Sequence, residues 1–400
     1  MIAFISDSHF DAAPNGRLAE CIRIHDWIAD DLERRAAERD NLEVIIHGGD
    51  VFERKSVPQD RNAVAAWLQR LAAIAPVLLV RGNHDQPGDL AIFAELKGDC
   101  EIFVDEVAGV HSFSGVDVAT LPWPRKAELL AALGRDVAGE ETGAIAQEAL
   151  RSVLRGLGGE MRGAAPTDAS PPSVLVAHAM VRGSLTSTGQ PLVGHDMELS
   201  LDDLALAGAD MVLLGHIHMP QHWSWAHDEG AMPIVYAGSP RRTAYGEVEA
   251  KGYVLVDFDR LCGRWMPRWE RVETPCQPMV LIEYSWDGGA FMRGGHQLHE
   301  EGRGAVEGAD IRLRYHVPAD QRDAARAAAA EVRAGLLEAG AERVTVDECV
   351  LQTTTARDTT VAAAKTTADK LTALWALRGD DVAPERRARV LGRLAELEAT

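Results

Sequence analysis

Short, unbroken apolar runs that stop abruptly at polar residues set the rhythm of the first two-thirds of the chain. "IAFIS" (2–6), "LEVIIHGG" (42–49), "PVLLVRG" (76–82), "SVLVAHAMV" (173–181) and "ADMVLLGHIH" (209–218) are such runs. Alternating with helical patterns, such runs read as strands headed for a buried sheet. "EIFVD" (101–105), "VHSFSG" (110–115), "VDVATLPW" (116–123), "PIVYAGSP" (233–240) and "GYVLVDFD" (252–259) predict further strands. Helical spacing of Cys21, Ile24, Trp27, Ile28 and Leu32 predicts an amphipathic helix over 17–39. Pro58 suits the first turn of another at 58–74. The stretch 125–162, rich in Ala, Leu, Glu and Arg, reads as helical, and "GAAPTDASPPS" (163–173) as a loop.

The pattern changes beyond about residue 275. "MVLIEYSW", "DIRLRYHV" and "RVTVDECVL" predict strands around an Ala-rich helix at 320–339, a small α+β unit. A Thr-rich bridge at 353–360 leads to two short helices at 360–378 and 384–398. Their apolar stripes, Leu371, Leu374 and Trp375, then Val390, Leu391, Leu394 and Leu397, exceed what two short helices bury alone. The expected architecture is therefore an α/β fold, a two-sheet sandwich flanked by helices, with an α+β cap and C-terminal helices. Its boundaries fall at 1–272, 273–352 and 353–400.

Composition narrows the function classes. With 41 Lys and Arg against 61 Asp and Glu, the formal charge is −20. That sign disfavours a simple electrostatic nucleic-acid binder, so any DNA contact must be local or assisted by cations or a partner. The cysteines, Cys21, Cys100, Cys262, Cys276 and Cys349, form no C-x-x-C pair. This argues against a disulfide framework and fits a reducing, cytoplasmic setting. "MIAFISDSHF" lacks a basic leading segment, and no apolar run approaches the roughly 20 residues of a membrane helix.

Chemistry gathers at the ends of the strands. Asp7 and His9 follow the first run, Asp50 the second, and Asn83, His84 and Asp85 the third. His178 follows the fourth, and His216 and His218 the fifth. Ligands of open α/β sheets collect beyond the carboxyl ends of strands, so these loops are expected to converge. Asp, His and Asn without Cys make an N/O donor set suited to Mn, Fe or Zn. Seven donors exceed the needs of one ion and suit two, roughly 3.5–4 Å apart, sharing a carboxylate. Asp50, on a central strand, is the natural bridge. His47, inside its strand, reads as structural or as a support behind the ligands. His195, His222 and the remaining histidines read as surface or core residues.

In order, "DSH", "GGD", "GNHD", "AHAM" and "GHIH" resemble the signature of calcineurin-like metallophosphoesterases. "GHIHMPQ" followed by "YAGSPRRTAYGE" is similar to the SbcD-type DNA repair nucleases, bacterial and phage relatives of the Mre-eleven nuclease. The cap and tail match that family in layout. The insert at 125–173 and the Arg241–Arg242 pair have no assigned place in the likeness. The resemblance implies two divalent ions, usually Mn²⁺. Asp7, His9, Asp50 and His218 would hold one, and Asp50, Asn83, His178 and His216 the other. His84 would face the scissile phosphate and protonate the leaving oxygen, with Asp85 orienting it or capping the next helix. It also implies 3′-to-5′ exonuclease and single-strand endonuclease activity, an SbcC-type ATPase bound by the terminal helices, and a homodimer through residues 58–74 and 88–96.

Arg54, Lys55, Arg61, Arg241 and Arg242 are candidate DNA-phosphate contacts, as are Arg125, Lys126 and Arg182. Trp123, Trp223 and Trp225 either stack on a base or pack in the fold. The rival reading is a stand-alone phosphatase or cyclic-nucleotide phosphodiesterase on the same centre. A second rival is a scaffold with a structural metal site.

Overall fold

The computed structural model describes residues 1–13, 16–39, 42–132, 142–162, 170–187, 197–227, 230–293, 306–351, 359–378 and 383–398. Contacts divide the chain into two units. The first comprises Met1–Leu281, Gly302–Arg312 and Ala339–Arg343. Its strands are β1 (Ile2–Ile5), β2 (Val44–His47), β3 (Val77–Val80), β4 (Ile102–Asp105), β5 (Gly109–Phe113), β6 (Val116–Leu121), β7 (Ser173–His178), β8 (Met180–Val181), β9 (Glu198–Leu199), β10 (Met211–Gly215), β11 (Gln221–His227), β12 (Gly230–Tyr236), β13 (Gly252–Leu261) and β14 (Arg264–Glu273). Its helices are α1 (Leu18–Arg39), α2 (Pro58–Ala72), α3 (Lys126–Ala132), α4 (Thr142–Arg162) and α5 (Leu201–Ala205).

Two six-stranded sheets result, ordered β14-β13-β1-β2-β3-β4 and β11-β12-β10-β7-β6-β5. The inner strands run parallel; antiparallel strands close both flanks of the second sheet and the β13–β14 flank of the first, whose other edge, β4, is parallel. Strand alternation sorts their side chains into three apolar layers. Ile2, Phe4, Val44, Ile46 and Leu78 of one sheet meet Val118, Val174, Val176 and Leu213 of the other. The alternate residues Ala3, Ile5, Ile45 and Leu79 pack outward on Cys21, Ile28 and Leu32 of α1 and Trp67 and Leu71 of α2. Leu175, Ala177, Val212 and Leu214 likewise pack on Leu150 and Leu154 of α4 and Leu204 of α5. Each fully buried Val, Leu or Ile contributes roughly 1.5–3 kcal/mol, so burial on both sides explains why these strands are uninterrupted apolar runs. This is the expected α/β sandwich.

Local differences have local causes. Residues 88–96, the second segment expected to be a helix at a homodimer contact, form a short 3₁₀ turn at Ala91–Glu95, after Gly88 at φ +83°. Within the insert, α3 and α4 are the described helices; the loop expected at 163–173 lies mostly outside the described residues, as do His195 and most of the Thr-rich bridge.

The second unit comprises Ile282–Glu301, Leu313–Glu338 and Val344–Thr400. It carries a sheet ordered β16-β15-β17-β18, formed by β15 (Met279–Trp286), β16 (Phe291–Arg293), β17 (Asp310–Pro318) and β18 (Arg343–Leu351), with α6 (Arg322–Glu338). Glu348 accepts from Arg322, Arg326 and the Tyr315 hydroxyl. The tail forms α7 (Thr359–Ala363), α8 (Thr367–Arg378) and α9 (Pro384–Glu398). The single helix expected at 360–378 is split, and the Thr366 hydroxyl accepts from Asp369 N–H to cap the restart. Among the described residues no helix is long and apolar enough to cross a membrane.

Candidate metal centre

Parallel registry brings the strand ends level. Ile5 pairs with His47, and Gly215 with His178. Beyond them Asp7 N–H donates to Gly49 O at 3.0 Å, and His9 N–H to Asp50 O at 3.1 Å, so the first two loops advance as a pair. Asp7 (φ 58°), His9 (φ 50°), Asp50 (φ 54°) and His216 (φ 104°) all have positive φ without being glycine. Such conformations are disfavoured and persist where the surroundings enforce them, commonly at functional sites. Gly82 is required for closeness: a Cβ there would lie 2.1 Å from Asp50 Oδ1.

All seven predicted donors come together. Asp7, His9 and His218 offer ligand atoms within 4.8 Å of one another, as do Asp50, His178 and His216. Asn83 Oδ1 joins the second group, 3.0 Å from His178 Nε2 and 2.9 Å from His216 Nδ1. Asp50 Oδ2 lies 3.3 Å from His178 Nε2 and 3.9 Å from His9 Nε2, between the two groups. His216 N–H is anchored on the Asp7 carboxylate at 3.0 Å, and His84 N–H on Asp50 Oδ1 at 2.8 Å.

The donor chemistry fits divalent cations. His178 donates from Nδ1 to Gly48 O at 2.7 Å, leaving Nε2 turned toward two oxygen acceptors. Nε2 atoms of His9 and His218 face each other at 2.9 Å, while Glu53 Oε2 stands 2.7 Å behind Nδ1 of His9. Lone pairs converging in this way need a positive charge between them. Without an ion the pair must use protons. Burial opposes a charged His178, but Asp50 outweighs it and pushes the imidazole up to about 9. Burial also opposes ionisation of Asp50, yet His178 holds its carboxyl far below the usual range. Burial and the His178 charge hold His216 down at about 4.

A second network lies beneath these loops. Gly49 N–H donates to His47 Nδ1, so His47 donates from Nε2 to Ser8 Oγ at 2.8 Å. Ser8 then donates to His25 Nε2 at 2.6 Å, and His25 Nδ1 to Cys21 O at 2.7 Å. His47 thus supports the ligand loops, and His25, read from sequence as an ordinary histidine, belongs to the same chain.

Three expectations are corrected. Asp85 does not orient His84. Its buried carboxylate accepts from the backbone of Phe52 and Gly82, each at 2.9 Å, and of Val51 at 3.3 Å, stapling the second loop to the third. Burial, with the Asp50 charge, raises its carboxyl. His84 is oriented instead by Glu53 O, 2.6 Å from Nδ1. Arg241 is no surface phosphate contact: it is 4% exposed and donates to Ser8 O and His9 O. Arg242 is likewise turned inward, onto Glu247 O, Gln277 O and Cys276 Sγ. Backbone carbonyls take most of these bonds, and the buried Glu20 carboxylate stands 3.7 Å from Arg241 Nη1.

The other candidates stay near the surface. Arg54 pairs with Asp11, Arg61 donates to Ser56, and Lys55 is exposed. Arg125 and Arg182 pair with Glu128 and Glu198. Trp123 packs on His216 at 4.7 Å between centroids, Trp223 packs on Tyr236, and Trp225 donates to Asp202. A cavity of about 270 Å³ opens beside His216 and His218, lined in part by Thr186 and Tyr245. Sequence reading missed Glu53, three residues past Asp50, and Glu247, which lies in the "AYGE" segment after the Gly-Ser-Pro turn.

Residues 1–220 match the family model described as calcineurin-like phosphoesterase. A curated relative, the D subunit of nuclease SbcCD from Staphylococcus epidermidis, is 22% identical over 233 residues, 56% of this chain and 57% of that protein. The matched region thus spans little more than half of the relative's length. Among solved structures, TT1561 of Thermus thermophilus gives a TM-score of 0.35 at 14% identity, covering 67% of this chain and 97% of that one. Purple acid phosphatase PPD1 from yellow lupin (Lupinus luteus) seeds gives 0.33 at 14%, covering 64% and 48%.

Proposed function

The chain belongs to the calcineurin-like phosphoesterase family, whose members hydrolyse phosphoesters with divalent metals, and from that premise we propose that it is the Mn²⁺-dependent nuclease subunit of an SbcCD-type DNA repair complex. The observation that carries the metal-dependent chemistry is the pair of donor groups meeting at Asp50, with imidazole lone pairs aimed inward. Asp7, His9, Asp50 and His218 would hold one cation, and Asp50, Asn83, His178 and His216 the other. Together the ions would supply Lewis acidity toward the phosphoryl oxygens and the attacking water. His84 would be the proton donor to the leaving oxygen. Its Nδ1 is committed to Glu53 O, which leaves Nε2 for that transfer.

The likeness to the staphylococcal nuclease subunit supports DNA as substrate. On this reading residues 1–272 form the nuclease domain, 273–352 the cap and 353–400 a tail that docks on an SbcC-type ATPase. Exposed apolar side chains in the tail, Leu377 and Val390, support a partner there. The protein would work in the cytoplasm, as a homodimer, cutting duplex ends from 3′ to 5′ and single strands internally.

One observation favours a second reading. The charge is −20, and Arg241 and Arg242 are spent on the fold. A stand-alone phosphatase or small-molecule phosphodiesterase needs no basic DNA face. Purified protein with Mn²⁺, given labelled duplex ends and p-nitrophenyl phosphodiesters in parallel, separates the two. Degradation of DNA ends supports the nuclease. Turnover of the small ester with DNA left intact overturns it in favour of the second reading.

A further inference from the structure

Behind His218 lies a group of polar residues that the ligand set does not use, with Glu247 and Lys251 buried and Thr243 partly so. Thr243 Oγ1 is 2.8 Å from His218 Nδ1, and Glu247 Oε1 is 3.3 Å from the same nitrogen. Thr243 Oγ1 and Glu247 Oε1 are 3.0 Å apart. The other carboxylate oxygen, Oε2, takes the Thr243 N–H at 2.9 Å and Lys251 Nζ at 2.9 Å. Lys251 is 1% exposed, and it also meets Glu249 Oε1 at 2.6 Å and His218 O at 3.3 Å.

This arrangement leaves one consistent set of protons. The Glu247 carboxylate only accepts while it is ionised, and Lys251 supplies the adjacent positive charge. Thr243 N–H and Lys251 satisfy Oε2, so the Thr243 hydroxyl donates to Oε1. That hydroxyl can then only accept from His218, which places the imidazole proton on Nδ1. The opposite tautomer would set an Nδ1 lone pair against Glu247 Oε1 at 3.3 Å.

We propose that Glu247, clamped by Lys251 and acting through Thr243, is a positioning residue that fixes His218 as the Nδ1–H tautomer and so presents Nε2 to the cation site. Carboxylates behind ligating imidazoles commonly set ring orientation and basicity, and their loss costs about 10–100-fold in metal affinity. The inference rests on His218 holding a cation, as in the function proposed above. It adds Glu247, Lys251 and Thr243 to the residues on which that cation depends.

The 400-residue chain carrying Glu247→Gln tests it. Lys251 and the Thr243 N–H would hold the amide oxygen at Oε2, turning the NH₂ toward Thr243 Oγ1. The hydroxyl would then donate to Nδ1 and move the His218 proton to Nε2. The expected results are a tautomer change in the ¹⁵N-histidine spectrum of the metal-free protein, assigned with His218→Gln, and Mn²⁺ binding about 10–100-fold weaker by titration calorimetry. Thr243→Val should weaken binding in the same direction, and Thr243→Ser, which keeps the hydroxyl, should restore it. The valine and serine pair decides the matter if Glu247→Gln fails to fold. Wild-type Mn²⁺ affinity in both Glu247→Gln and Thr243→Val, or a wild-type His218 already protonated at Nε2, overturns the inference alone. A wild-type chain that binds no Mn²⁺ overturns the proposed function with it.

Discussion

Glu53 and His84 are joined by a 2.6 Å bond from the imidazole Nδ1 to the Glu53 carbonyl, while the Glu53 carboxylate reaches back to His9 Nδ1 at 2.7 Å. One residue therefore aligns an imidazole inside the donor set and another outside it. The ring centroids of His9 and His84 lie 5.0 Å apart, nearly perpendicular. His84 is thus adjacent to the donors while its fixed nitrogen is spent on a backbone oxygen.

That separation predicts the behaviour of His84→Ser. The variant should bind Mn²⁺ like the wild type and lose about 10²–10⁴-fold in turnover, the usual worth of a general acid. Metal titration beside phosphodiester hydrolysis checks it. Wild-type turnover would remove His84 from catalysis, and loss of metal would place it among the ligands instead.

Asp50 should behave in the opposite way. It is the carboxylate within reach of both donor groups, and it also receives the His84 N–H. Asp50→Ala should lose most bound metal, measured by elemental analysis after gel filtration, and with it turnover. Full retention of metal would refute its role as the shared ligand.

The layers of the fold were readable because burial on both faces leaves a continuous apolar run, and the donors because they sit where those runs stop. Asp7, His9, Asp50, Asn83, His178, His216 and His218 announce themselves as costly polar residues at strand ends. What was not readable depends on where long side chains fold back. Nothing local distinguishes Arg241, which turns inward to Ser8 O and His9 O, from exposed Arg54. Asp85 was misjudged because two of its three partners, the amides of Val51 and Phe52, become neighbours only through tertiary packing. Glu53 and Glu247 escaped because a carboxylate behind an imidazole follows no fixed spacing.

His25 makes a prediction about pH. Burial pulls its imidazole from an ordinary value of 6.5 down to about 3, and it stays neutral between Ser8 and Cys21 O. The unfolded chain binds a proton there below about pH 6.5 and the folded chain does not. Stability supplied by neutral His25 is therefore complete above that pH and falls as pH drops toward 3, by about 1.4 kcal/mol per unit. Urea unfolding of His25→Gln between pH 4 and 7 should show a shallower acid limb by about that slope. An unchanged slope would show that His25 protonates freely in the fold.

Arg241→Met addresses the corrected assignment. Loss of the guanidinium removes donors to Ser8 O and His9 O and leaves the buried Glu20 carboxylate with one fewer cation. Breaking such a buried pair costs about 3–5 kcal/mol. The variant should unfold at lower urea and bind metal more weakly, because the loop bearing Asp7 and His9 loses its brace. The slope of any DNA affinity against salt should not change. A shallower slope with unaltered stability would restore Arg241 as a phosphate contact.

The tail supplies the final prediction. The donors, their supporting carboxylates and the Ser8–His25–His47 network all lie before residue 252, within the unit that ends its first segment at Leu281. Helices α8 and α9 belong to the other unit, and Leu377 and Val390 are 50% and 40% exposed. Helices of 12 and 15 residues are marginal alone and gain stability by laying apolar side chains into a partner's groove. A chain ending at residue 352 should keep its Mn²⁺ content and its hydrolysis of p-nitrophenyl phosphodiesters, and lose binding to the coiled coil of an SbcC-type ATPase. Pull-down with that coiled coil measures the second effect and phosphodiester turnover the first. Undiminished ATPase binding would refute the tail's docking role, whereas lost turnover would tie the tail to the metal centre.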